Sequence, residues 1–444
     1  MEEKNILELI ENKKYIQLKK ELAEMNEVDI SEILEPLDLS TTLLVYRMLP
    51  KDIAAEVFSY ISPERQADII NAVTDKELKF ILDELFFDDM IDLIEEMPAN
   101  IVNKILINST LEERVLINQF LKYPAYSAGS LMTIEYVELQ KNMTVKEALE
   151  HIKEIGLSKE TIYTCYVTDK KRKLEGIVSL RNLVVSELEQ SINDIMLEDV
   201  IYVETHDDQE TVASIFKKYG FIALPVVDKE QRLTGIITFD DIMDVMEEEA
   251  TEDFQIMAAM APSEAAYLES GVIALAKQRI PWLLILMIAA TVTGGIIKRF
   301  EDLLSTLVVL TAFIPMLMNT AGNSGNQSST LIIRGLATNE VELKDIWKVL
   351  WKEFRIGIIA GSILGTVNFT KNMLFDRLSL SVSLTISITA VITVMMSKMI
   401  GGILPLVAKK LKLDPAIMAG PLITTIVDAL ALIVYFGIAA TFLI

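Results

Sequence analysis

The sequence predicts a multidomain α-helical membrane protein: an N-terminal helical solenoid, an α/β domain pair and a five-helix transmembrane domain. Three observations carry this. Hydropathy divides the chain near residue 270, short amphipathic units restart about every twelve residues in the first part, and an α/β pattern recurs after 59 residues. The expected domains are 1–124 (acidic helices), 125–246 (the pair, about 125–190 and 191–246), 247–270 (a connecting helix) and 271–444 (the membrane domain).

Charge follows the same division. The 444 residues carry 64 Asp and Glu against 41 Lys and Arg. Nine of those acids and fifteen of those bases lie from Gly271 onward, leaving 55 and 26 before it. A half of net charge −29 therefore precedes one of +6. So acidic a front half repels nucleic acid and attracts cations. With two His and one Cys, any cation site is built from oxygen ligands, which favours Mg²⁺ or Ca²⁺ over zinc or copper. The lone Cys165 has no internal partner and fits a reducing cytoplasm. The opening Met-Glu-Glu-Lys-Asn lacks a basic n-region and an apolar h-region, so no signal peptide is expected. Neither His151 nor His206 lies in a catalytic-looking motif, and an enzyme is not expected.

In the first 123 residues the helical units open at Leu49-Pro-Lys-Asp, Ile61-Ser-Pro-Glu, Val73-Thr-Asp-Lys, Leu85-Phe-Phe-Asp and Met97-Pro-Ala-Asn. Each starts on a cap-like residue, the pattern of stacked short helices. Asp88 and Asp92 are four apart and share a helix face, a mildly destabilising arrangement unless a cation or base lies opposite. A solvated acidic face is the plain alternative.

The repeat aligns Tyr166–Leu183 with Val226–Ile242, so that Asp169 and Gly176 recur as Asp228 and Gly235. Strand, Asp-led turn, strand and helix start follow in order. This resembles a cystathionine β-synthase (CBS) domain pair. That resemblance implies that an acid at the helix start contacts the ribose of a bound nucleotide. The second copy has Asp241 there and the first has Asn182, so one ATP-type site on Asp241 is the expectation. Asp240–Asp253 then carries eight carboxylates in fourteen residues without a base, a self-repelling helix that divalent cations would relieve.

Five apolar segments follow: about Pro281–Ile297, Leu304–Asn319, Phe354–Phe369, Leu380–Val407 and Pro415–Ile444. Ten Lys and Arg fall on one side of them and four on the other, which places the front half in the cytoplasm and the C-terminus outside. Asp428 is the only charged residue from Pro415 onward, and such a group normally faces a bundle interior or a watery path. The polar run Asn319–Thr330, with Asn323 and Gln327, reads as backbone leaving the helix at membrane depth to line water. Glycines at 294, 295, 357, 361, 365, 401 and 402 read as close-packing positions, and Lys398 as paired or snorkelling.

Taken in order, these parts resemble the MgtE family of magnesium channels and transporters. The resemblance is carried by Glu249-Ala-Thr-Glu-Asp253, Arg279-Ile-Pro-Trp-Leu283, Gly322-Asn-Ser-Gly-Asn-Gln327, Arg334-Gly-Leu-Ala337, Leu413-Asp-Pro-Ala416 and Gly420–Asp428. It implies a multi-pass homodimer in the cell membrane, with a pore on the two-fold axis. Mg²⁺ would be both substrate and regulator, acting through an acidic cytoplasmic sensor. By position it implies pore roles for Asp428, Thr424, Thr425 and Asp414. It implies magnesium-ligand roles for Asp88, Asp92, Asp208, Glu210, Asp241, Asp244, Glu249, Glu252 and Asp253, and a plug helix over about Glu247–Ser270. Gly420 stands where some members carry a polar residue, and Gly220 where an acid is common. A coupled secondary transporter of divalent cations and a non-conducting cation or nucleotide sensor are the alternatives.

Overall fold

The computed structural model describes residues 2–263, 267, 268 and 270–443. It divides into two units, Met1–Met246 and Glu247–Ile444.

In the first unit the described residues open with ten helices, from α1 (Glu2–Glu11) to α10 (Leu111–Phe120). The twelve-residue restarts are α5 (Lys51–Ser59), α6 (Pro63–Ala72), α7 (Asp75–Glu84), α8 (Phe87–Glu96) and α9 (Ala99–Asn108). Each start has a local cause. Pro63 occupies the first helical position of α6, where its missing N–H costs nothing. Thr74 and Thr110 form capping boxes with Glu77 and Glu113. Asn26 and Asp38 cap α3 (Glu27–Leu34) and α4 (Leu39–Tyr46). Alternate helices pack on one another: α3 on α5, α5 on α7, and α7 on α9.

Two three-stranded sheets follow. In the first, β1 (Val137–Leu139) pairs parallel with β2 (Thr164–Thr168), which pairs antiparallel with β3 (Leu174–Ser179). The second repeats this with β4 (Val203–Glu204), β5 (Ala223–Val227) and β6 (Leu233–Thr238). Helices α11 (Val145–Ile155), α12 (Leu180–Val185), α13 (Ile192–Ile195) and α14 (Gln209–Tyr219) complete the pair. The repeated aspartates build the same turn twice. Asp169 Oδ1 accepts from the Lys171 and Lys173 N–H groups at 2.7 and 2.9 Å, and Asp228 Oδ1 from those of Glu230 and Arg232 at 2.8 and 2.9 Å. The two turns are cross-linked, since Leu174 N–H donates to Gln231 O and Leu233 N–H to Arg172 O. Phe87, Met90, Ile91 and Ile94 of α8 share one apolar core with Val212, Phe216, Ile237 and Ile242. Burial of such side chains, about 2 kcal/mol each, fixes α8 against the second copy.

The last strand leads into α15 (Phe239–Met257). This helix overlaps the expected connecting segment of 247–270, starting before it and ending as a helix at Met257. Pro262, which lacks an N–H and disfavours helical backbone at Ala261, keeps the helix from resuming. Ala259 takes a positive φ of 55°, and the Gln255 side chain brackets Ser263, accepting from its N–H at 2.7 Å and donating to its O at 3.0 Å. Residues 264–266 and 269 of that expected helix lie outside the described residues.

The second unit holds α16 (Val272–Arg299), α17 (Glu301–Thr306), α18 (Ile314–Ala337), α19 (Ile346–Leu374), α20 (Leu380–Lys410) and α21 (Gly420–Leu443). Among the described residues, α16, α20 and α21 are long and apolar enough to cross a membrane. The expected span Leu304–Asn319 is not one helix. It breaks after Thr306, passes through a 3₁₀ segment at Val308–Phe313 and resumes as α18. The polar run at 319–330 is corrected too, because it is helical. Ala321, Gly322, Ser324, Gly325, Ser328 and Ser329 are buried against α20 and α21. Small residues allow the backbones to approach, and that contact outweighs their poor helix propensity. At Gly401 the approach is closest: a Cβ there would stand 2.2 Å from the Gly325 carbonyl oxygen. Gly294 and Gly295, by contrast, have no atom of the described residues within 4 Å of their Cβ positions, so no packing partner is seen for them there.

Candidate functional site

In the first unit, a patch of carboxylates forms where α8 meets the start of α15. The geometry comes from the core beneath it, which holds Asp88, Asp89 and Asp92 of α8 toward Asp240 and Asp241, with Glu135 and Glu160 beside them. Burial pushes the Asp88 carboxyl well above its usual range, and the negative charges of Asp241, Asp89 and Glu160 add to the effect. The same causes, burial first and then Asp241, raise Asp89 to about 6 and Asp92 to about 7. Glu160 is raised to about 7 by burial and by Asp240 and Asp241. Asp241 is itself raised, chiefly by burial, although Thr238 Oγ1 donates to its Oδ2 at 2.6 Å.

Asp88, Asp92 and Asp241, chosen from the sequence, are thus brought together. Asp89, Glu135, Glu160 and Asp240 join them; the sequence marks Asp240 only as part of an acidic run, and sequence reasoning missed the other three. The Asp88-Asp89 doublet signalled one of them; nothing local marks Glu135 or Glu160, whose place depends on tertiary contact. Asp208 is occupied as the N-cap of α14, accepting from Glu210 N–H at 3.0 Å. Asp244, Glu249, Glu252 and Asp253 lie along α15. Gly220 closes α14 in the left-handed conformation, φ 67°, which a glycine adopts without strain and an acid would not.

The patch suits a hydrated hard cation. Its donors are all carboxylate oxygens, whose raised pKa values record burial first and uncompensated repulsion second. Among the described residues, no three His, Cys, Asp or Glu converge closely enough to grip a bare ion. Mg²⁺ normally keeps several waters and needs one or two carboxylates.

A cleft of about 880 Å³ opens elsewhere in the α/β pair, lined by Tyr163, Thr164, Arg181, Asn182, Asp199 and Phe221, among others. Asp241 is not among the lining residues of this cleft and faces the acids of α8, whereas the first copy's Asn182 and the neighbouring Arg181 do line it.

In the second unit, α18 and α21 cross at Gly322. A Cβ there would stand 3.1 Å from Thr424 Cγ2 and 3.5 Å from Asp428 Oδ1. Asp428 is half-buried, and its enclosed Oδ1 has no hydrogen-bond partner among the described residues. Thr424 and Thr425 both donate to Pro421 O, at 2.9 and 2.8 Å. The α18 stretch serves as a socket for the neighbouring elements: Asn326 Oδ1 accepts from Gly420 N–H at 2.8 Å, and Ser329 Oγ donates to Met418 O at 2.6 Å. Asn323 instead donates to Asn319 on its own helix. Asp414 caps the 3₁₀ turn Pro415–Met418 through Ala416 N–H at 2.8 Å. Gly420 has φ 52°, and a Cβ there would lie 2.2 Å from the Met257 carbonyl oxygen. No polar side chain fits that position in this conformation.

Membrane-length helices around an enclosed carboxylate, together with an acidic helical domain and an α/β pair, define a cation-handling membrane protein. A family profile described as "Divalent cation transporter", MgtE, matches residues 314–438. The MgtE intracellular N domain matches 25–126, and the CBS domain matches 128–188 and 192–248. The chain belongs to the MgtE family. It is 36% identical over 427 residues to the magnesium transporter MgtE of Thermus thermophilus, covering 95% of this chain and 94% of that protein. With the magnesium transporter MgtE of Bacillus subtilis it shares 32% over 422 residues, 92% of each. Its fold also matches the crystal structure of the cytosolic domain of the Mg²⁺ channel MgtE in complex with ATP. There the TM-score is 0.52 and the identity 36%, covering 54% of this chain and 98% of that one.

Proposed function

We propose that this protein conducts Mg²⁺ across the cell membrane and that cytoplasmic Mg²⁺ closes it by binding the acidic patch. The single observation that carries the proposal is Asp428, an enclosed carboxylate oxygen without a partner among the described residues, at the tight crossing of α18 and α21. A buried acceptor left unpaired costs about 1–3 kcal/mol, more when charged, so the site favours a cation with its water shell. Thr424, Thr425, Asn323, Gln327 and Asp414 complete the proposed path. Names of relatives support magnesium as the substrate.

In this reading five helices, α16 and α18–α21, span the membrane, with 1–246 cytoplasmic and the C-terminus outside. The ten short helices form a solenoid, and the domains run 1–124, 125–246, 247–270 and 271–444. Exposed Leu283, Ile285, Met287, Ile288 and Val292 on α16 fit lipid or the second copy of a homodimer. Gating follows from charge. Asp88, Asp89, Asp92, Glu160, Asp240 and Asp241 repel one another when ionised, and bound Mg²⁺ supplies the neutralising charge. Asp244, Glu249, Glu252, Asp253, Asp208 and Glu210 extend the sensor. Loss of the ion favours separation of α8 from the start of α15, a population shift set by differential ion binding. ATP occupies the cleft at Arg181 and Asn182 as a regulator, a reading supported by the ATP complex of the relative.

Asp428→Ala tests the path. It should abolish Mg²⁺ uptake in a magnesium-dependent host while leaving assembly intact; normal growth at matched expression would overturn the proposal.

A further inference from the structure

Two oppositely charged side chains are buried in the second unit, and the path described above uses neither. Glu353 on α19 is 6% exposed, and so is Lys398 on α20. Each is held by one of two adjacent residues of the α18 polar stretch. Ser328 Oγ donates to Glu353 Oε2 at 2.6 Å, and Lys398 Nζ donates to Gln327 Oε1 at 3.4 Å. A Cβ on Gly402 would stand 3.0 Å from Glu353 Cγ, so the glutamate stem lies on the α20 face one turn beyond Lys398. Four residues of helix correspond to about 6 Å of rise.

Within a membrane domain a lone buried charge is expensive, and removing one partner of a buried pair leaves the other uncompensated. We propose that Glu353 and Lys398 are a compensating buried pair, joined through Ser328 and Gln327. It positions the polar stretch of α18 and sets the field that a passing divalent cation meets. Both are positioning residues. The inference rests on the reading of α18 and α21 as a cation path, and it adds that the path's neutrality depends on these two charges.

The sign of the charge gives the test. With Glu353 replaced by Gln, the Lys398 ammonium stands uncompensated beside the path and repels a divalent cation. With Lys398 replaced by Gln, the leftover carboxylate attracts it. Full-length protein in liposomes, loaded with a fluorescent Mg²⁺ indicator, gives the KM and maximal rate of Mg²⁺ uptake. Glu353→Gln should raise KM about fivefold or more, and Lys398→Gln should leave it unchanged or lower. The double variant should return to within about twofold of the parent. Glu353→Asp keeps the charge and should stay near the parent. A loss of packing alone would move both single variants in the same direction. Equal increases in KM for the two single variants, a double variant no nearer the parent than Glu353→Gln, or Glu353→Asp behaving as Glu353→Gln would each overturn the pair. Failure of the underlying path reading looks different: Asp428→Ala would then leave uptake unchanged.

Discussion

Removing Mg²⁺ should make the first unit's stability depend steeply on pH, in an unusual direction. Asp89 is held at about 6 and Glu160 at about 7, against 3.8 and 4.5 for the free groups. A carboxyl whose folded pKa is raised binds more protons folded than unfolded. Stability is then highest at acid pH, falls as pH rises through about 4 to 7, and levels off above. Fully realised, each of these two shifts corresponds to about 3 kcal/mol. Their shared repulsion and partial solvent access reduce the sum to about 2–4 kcal/mol, and Asp92, at the solvent-facing edge of the patch, is left out of it. For a unit of this size that is about 5–15 °C in melting temperature. Calorimetry on residues 1–246 in chelator should show this fall between pH 4 and 8, and millimolar Mg²⁺ at pH 8 should reverse most of it. A melting temperature that is flat or rising over that range, or indifferent to Mg²⁺, would refute the reasoning.

Other consequences are local. Asp89→Asn combined with Glu160→Gln should stabilise residues 1–246 in chelator at pH 8 by about 1–2 kcal/mol, read by calorimetry, and blunt the response to Mg²⁺. Gly420→Ala meets both a φ of 52° and the Met257 carbonyl at 2.2 Å, so it should destabilise the detergent-solubilised protein by about 2 kcal/mol or more, read by thermal melting. Gly401→Ala should cost about 1–3 kcal/mol in the same assay, because its Cβ collides with the Gly325 backbone. In calorimetry with ATP, Arg181→Ala should weaken binding about tenfold, whereas Asp241→Ala should leave it unchanged; the reverse ranking would restore the second copy as the nucleotide site.

The sequence made the modular order legible because each module has its own period. Twelve-residue restarts with Pro63, Thr74 and Pro98 at helix starts mark the short helices, and the Asp169/Asp228 pair marks the repeat. What escaped depends on contacts distant in sequence. The 319–330 run reads as a loop by composition, yet Gly322, Gly325 and Ser328 become helix-contact residues once α20 and α21 pack beside them. Glu353 sits just outside an apolar stretch and looks like a boundary charge; only the fold shows it buried against Ser328. Glu160 is about seventy residues from α8 in the chain, and no spacing rule links them. Asp241 satisfies two patterns at once in the sequence, and only the fold shows it beside Asp88.

Electrical recording of the reconstituted full-length protein, with Mg²⁺ as the sole permeant cation, tests the central claim most directly. Unitary Mg²⁺ currents should appear when the cytoplasmic face is free of Mg²⁺, close as millimolar Mg²⁺ is added there, and vanish in Asp428→Ala. Currents that persist in Asp428→Ala, or that ignore cytoplasmic Mg²⁺, would contradict it.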